Sequence, residues 1–71
     1  MPGGIRIGKK LKEVRIRRLL TQEELARKAG VSPSTVVNIE RDRSEPHFST
    51  IRVLARALDV DPVSLLEDWH D

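Results

Sequence analysis

The sequence predicts an all-α fold, a compact five-helix bundle, and three observations carry that expectation. Apolar residues recur at spacings of three and four along most of the chain, and no stretch alternates apolar with polar residues as a half-buried strand does. Residues that start helices stand at separate points: Thr21 followed by Glu24, Ser32 before Pro33, and Asp61 before Pro62. The 71 residues make one domain and leave no room for a second. A chain this short buries only about 60% of its unfolded surface, so its core has to be compact.

Residues 1–6, opening with MPGG, read as a flexible N-terminal arm, and residues 7–71 as the folded domain. The first helix is expected from about Ile7 to Arg18, with Ile7, Leu11, Val14 and Arg18 recurring along one side. In the second, Thr21 caps the start and Glu24 completes a capping box, with Leu25, Ala26 and Ala29 facing inward. The third takes Ser32 as its cap and Pro33 at its first position, where the missing N–H has no helical partner to lose. Val36 and Ile39 then point to the core, leaving Ser34, Thr35, Val37, Asn38 and Arg41 outside. After the polar loop RDRSEP, Phe48, Ile51, Leu54, Ala55 and Leu58 mark a fourth helix, with Phe48 read as core. Asp61-Pro62 opens a short fifth helix carrying Leu65, Leu66 and Trp69. Trp69 either closes the core from outside or forms a dimer patch with the two leucines.

Composition excludes several classes of function. The chain has no cysteine, which removes disulfides and thiolate metal sites and fits a reducing cytoplasm. His47 and His70 are too far apart for a metal-site spacing, so neither a metal nor another cofactor is expected. No apolar run reaches the length of a signal-peptide core or a membrane span. There is no nucleophile–base–orienter set and no glycine-rich phosphate loop, so an enzyme is not expected. Charge is unevenly spread: residues 1–20 hold seven basic side chains against Glu13, whereas residues 44–71 hold six acidic ones against Arg52 and Arg56. That polarity suits a polyanion on one side, although ordinary solvated helix faces carry similar charges.

The informative stretch is TQEELARKAGVSPSTVVNIE, from Thr21 to Glu40. Gly30 ends one helix, having no Cβ to oppose a left-handed turn, and Ser32 already caps the next. So short a join forces a steep crossing of about 90–120°. Ala26 is small where the third helix passes over the second, and Leu25, Val31, Val36 and Ile39 fill the wedge between them.

With these residues in view, the chain from about Ile7 to Leu66 resembles the phage-repressor-like helix-turn-helix DNA-binding domains, the lambda repressor and Cro type of the XRE family. STIRVLARALDV and Pro46 extend the likeness beyond the central stretch. The resemblance implies a sequence-specific regulator of transcription, generally a repressor, binding double-stranded DNA as a homodimer on a palindromic operator. It places the helix holding Ser34 to Asn38 in the major groove. Gln22 matches a glutamine that reaches a phosphate and packs towards that helix. Ser32, Ser34 and Asn38 match positions at base edges or the adjoining backbone, and Asn38 suits bidentate pairing with adenine. Thr35 and Val37 offer methyl groups to thymine, Pro33 and Arg41 flank them, and Arg43 matches a phosphate-contacting loop position. Arg15 and Glu40 match a buried structural ion pair tying the first helix to the third.

The chain departs from that pattern at four places. Leu19 stands where glycine often ends the first helix, so that turn is expected to close without a φ > 0 residue. Asp42 replaces another glycine, a mild loss because aspartate tolerates the left-handed region. His47 is a weaker cap than serine or threonine. Pro33 takes a position that often carries a base-reading side chain, shifting readout towards Ser34 and Asn38. Antitoxins share this resemblance, so the alternative is a protein that neutralises a toxin and represses its own operon.

Overall fold

The computed structural model describes residues 5–66. Four α-helices follow in order: α1 (Gly8–Arg17), α2 (Gln22–Ala29), α3 (Pro33–Glu40) and α4 (Phe48–Leu58). The segment expected as a fifth helix is a 3-10 turn, Pro62–Leu65, so the five-helix expectation is corrected to four α-helices and one such turn among the described residues. Asp61 accepts from the Val63 amide at 2.9 Å, the Leu66 amide donates to the Val63 carbonyl at 3.0 Å, and Leu66 then runs extended. Trp69 and His70 lie outside the described residues, as does most of the expected arm, while Ile5 packs against the core.

The starts of α2 and α3 follow from their capping residues. Thr21 accepts from the Glu24 amide and Glu24 accepts from the Thr21 amide, a complete capping box. Ser32 accepts from the Thr35 amide with Pro33 in the first turn, whereas His47 makes no side-chain cap hydrogen bond for α4. Ile7, Leu11, Val14, Leu25, Ala26, Val36, Ile39, Ile51, Leu54, Ala55, Leu58 and Leu65 are buried as one core. α2 packs on α3 and α4, and α1 reaches across to α3 and to the 3-10 turn.

Three expectations about single residues are corrected. Leu19 does adopt positive φ (57°), because the Leu20 amide donates to the Arg15 carbonyl and the Leu19 amide to the Ile16 carbonyl. That pair of bonds requires a left-handed residue whatever its side chain. Phe48 is 63% exposed rather than core: as the first residue of α4 it lies beyond the elements covering Ile51 and Leu54. Arg18 falls past the last turn of α1, is exposed, and donates to the Asp59 carbonyl at 3.4 Å.

Candidate nucleic-acid interface

Gly30, at φ 74°, turns the chain sharply between α2 and α3. The Val31 amide donates to the Ala26 carbonyl at 3.0 Å, so α2 is closed before α3 begins. Val36 and Ile39 are almost fully buried, which fixes the rotation of α3 and decides which residues look outward. Ser32, Pro33, Ser34 and Arg41 are exposed, while Thr35, Val37 and Asn38 are half-buried. Ser34 and Asn38 share one edge of α3 at helical spacing, and Arg41, the residue that caps its end, follows three residues on. The Ser32 hydroxyl lies 2.9 Å from that of Thr35 and 3.3 Å from that of Ser34, so the three hydroxyls form a small polar cluster at the helix start. Arg43 is exposed in the loop beyond, its amide bonded to the Asn38 carbonyl at 2.8 Å.

The inner end of α3 is anchored by charge. Arg15 donates to both oxygens of the Glu40 carboxylate, from Nε at 2.7 Å and from Nη2 at 3.0 Å. Its Nη1 donates to the Leu20 carbonyl at 2.8 Å. The Glu40 side chain is 3% exposed and that of Arg15 11%, so this bidentate pair is largely shielded from water. Removing one partner strands the other charge, at about 3–5 kcal/mol.

Gln22, at the first position of α2, donates from Nε2 to Glu40 Oε1 at 3.0 Å. One carboxylate therefore ties together α1, the start of α2 and the end of α3. The amide of Gln22 keeps a second N–H and its carbonyl oxygen for an outside partner. In the first turn of α2 the Glu24 amide is taken by Thr21, which leaves the amides of Gln22 and Glu23 for an anion, beside the acidic side chains of Glu23 and Glu24.

Two features were not visible in the sequence. The third contact of Glu40, from Gln22, needs the two helices to cross at the right height, which no local pattern encodes. The other is Gly8, where an added Cβ would collide with the Ile39 carbonyl oxygen and stand 2.7 Å from Asp42 Oδ1. An isolated glycine near the start of a helical pattern hints at a packing reason but does not name the partner. Among the described residues no group of His, Cys, Asp or Glu gathers to hold a metal ion. No helix among them is long and apolar enough to cross a membrane.

A two-helix unit with a glycine turn, a buried inner face and an exposed polar edge on its second helix defines a helix-turn-helix protein. The chain belongs to the helix-turn-helix family of the XRE type, matching its profile over residues 11–65. It is 44% identical over 54 residues to the immunity repressor protein of Bacillus phage phi105, covering 76% of this chain and 38% of the repressor. It is 33% identical to the HTH-type transcriptional regulator SinR of Bacillus subtilis, covering 92% of this chain and 60% of SinR. The chain thus spans less than two thirds of the length of both relatives. SinR in complex with DNA superposes with a TM-score of 0.82 at 34% identity, over 86% of this chain and 98% of that one. The restriction-modification controller protein C.AhdI of Aeromonas hydrophila superposes with a TM-score of 0.83 at 35% identity, over 87% and 94% of the two chains.

Proposed function

We propose that this chain is a sequence-specific regulator of transcription, a repressor, that binds double-stranded DNA as a homodimer on a palindromic operator with α3 in the major groove. The observation that carries this reading is the outward edge of α3, exposed Ser34 and half-buried Asn38 with Arg41 just past the helix end, held by the Arg15–Glu40–Gln22 network at its far end. A base-reading helix needs such support, since hydrogen bonds to base edges tolerate little displacement. The DNA complex of SinR and the repressor of phage phi105 support the same reading. Gln22 and the first-turn amides of α2 take one phosphate, and Arg43 takes another beyond α3. Ser34 and Asn38 read bases, Thr35 and Val37 touch thymine methyls, and Ser32 and Pro33 set the helix start against the backbone. Arg41 lies beside the duplex at the far end. The protein is no enzyme and needs no cofactor, and it works in the cytoplasm on the nucleoid.

Selection from a randomised duplex pool tests this directly. The expected result is a two-fold-symmetric motif. Asn38→Ala should then cost about 1–3 kcal/mol on the selected site and flatten preference at one base pair of each half-site. Unaltered preference at every position would remove Asn38 from the reading set. A protein partner is a second reading, supported by the solved complex of SinR with the SinI protein. A toxin is one such partner, and co-purification of a second chain would reveal it.

A further inference from the structure

Beyond α3 the chain runs Arg41, Asp42, Arg43, all three exposed. The Asp42 amide donates to the Ile39 carbonyl at 3.0 Å and the Arg43 amide to the Asn38 carbonyl at 2.8 Å. Asp42 itself is left-handed, with φ 57°. Its side chain turns back onto α1: Oδ1 lies 2.7 Å from the place that a Cβ on Gly8 would occupy. Gly8 is the first residue of α1, whose Ile7 cap makes no side-chain hydrogen bond and whose first turn holds no acidic residue. The positive end of α1 thus meets a carboxylate supplied from across the fold. Arg15, about two turns along α1, holds Glu40.

We propose that Asp42 is a positioning residue for Arg43: its carboxylate pins the loop to the start of α1 and so directs Arg43 towards a DNA phosphate. A carboxylate between two arginines would otherwise repel the backbone that they face. Turned against the amide end of α1, its charge is drawn away from the duplex and offset by the helix dipole. Gly8 makes the arrangement possible, since a Cβ there would fill the space beside Oδ1. α1 then grips the end of α3 at two points, Glu40 through Arg15 and Asp42 beside Gly8, and Arg43 follows directly. This inference rests on the DNA reading and adds to it a residue that touches no DNA.

The test is fluorescence anisotropy over a range of salt, on a duplex carrying one half-site of the selected motif and on a duplex of unrelated sequence. The chains compared are the unaltered one, Asp42→Gly, Arg43→Ala and the double variant. Glycine suits a left-handed position, so Asp42→Gly should fold, as circular dichroism checks. Taking an acidic side chain away from DNA ordinarily strengthens binding. Here Asp42→Gly should weaken it several-fold on both duplexes and lower the salt slope by about 0.9, the share of one phosphate. Arg43→Ala should do the same, and the double variant should lose no more than either alone. Tighter binding by Asp42→Gly, or an unchanged slope, would overturn the proposal and leave the carboxylate a mere neighbour of the duplex. A loss of equal size with and without Arg43 would overturn it too, since Asp42 would then act on the fold and not through Arg43. Arg43→Ala binding as tightly as the unaltered chain would remove the phosphate contact and the role of Asp42 with it. An unaltered chain that binds neither duplex at any salt would instead sink the DNA reading itself.

Discussion

At Gly8, α1 passes close against the end of α3. A Cβ there would meet the Ile39 carbonyl oxygen, and the Glu40 carbonyl oxygen would stand 3.0 Å away. Both are backbone atoms, so neither can swing aside. Alanine is the better helix former by about 1 kcal/mol, and a reading from propensity alone would have Gly8→Ala stabilise the protein. Overpacking costs about 1–3 kcal/mol, and here the backbone contact should win. We expect a lower thermal midpoint, by several degrees for a domain of this size. A midpoint that held or rose would show that α1 can ride away from α3 without loss. The case also marks what a sequence displays. Ser32-Pro33 announced its role because a cap and its helix are neighbours in the chain. Gly8 could not, because the group it makes room for lies some thirty residues on and is placed by the tertiary fold, and Phe48 misled because nothing local says where the cover over a helix face stops.

All four helices end in the same way, which gives the elements a common grammar. Leu20, Val31, Arg43 and Val60 each donate an amide to a carbonyl five residues back, at Arg15, Ala26, Asn38 and Ala55. The residue before each donor is left-handed: Leu19, Gly30, Asp42 and Asp59. Leu20, Val31 and Val60 then pack against the core, so the closure also directs the chain inward. Gly30 was legible as such a turn; Leu19 and Asp59 were not, because the backbone bonds impose the conformation on whatever residue occupies the place. Leu19 is 89% exposed and loses little by truncation. Relieving its strain gains about 1–2 kcal/mol, part of which the freer unfolded chain takes back. Leu19→Gly should therefore stabilise by about 1 kcal/mol or less in urea melts; a loss would mean that the leucine makes contacts outweighing its strain. At the other helix ends, the Glu24 carboxyl is held below the ordinary glutamate range by the Thr21 backbone amide first, and then by the Thr21 side chain. A depressed folded-state value means that the capping box contributes fully above the unfolded value, about 4.3, and loses its contribution as pH falls through the folded one. The gap in thermal midpoint between the unaltered chain and Glu24→Ala should be constant near neutrality and close under acid conditions. A gap independent of pH would show that the carboxylate's charge has no part in the cap.

The whole molecule is more polar than its formal net charge of +2 suggests, since seven of its basic residues fall among the first twenty and most of its acidic ones follow residue 43. This polarity was legible in the sequence, as was the all-helical class, because both are sums over many residues. A groove beside the 3-10 turn was not, since it exists only where Phe48 and Val63 are left uncovered by the elements around them. Each phosphate neutralised by the protein releases condensed counterions, so the logarithm of affinity falls linearly with the logarithm of salt concentration, at about 0.9 per phosphate on duplex DNA. On the proposed reading, a single copy on a half-site would engage one set of phosphates through Gln22, the α2 amides and Arg43. Two copies related by a dyad, as proposed, would engage that set twice. Titrations across a range of salt should therefore give a slope on a two-half-site duplex about double that on one half-site. Equal slopes on the two duplexes would mean that only one copy is bound at a time. A slope more than doubled would mean that pairing brings further basic residues onto the backbone, with Arg17 at the end of α1 and Arg18 just beyond it the first to be examined.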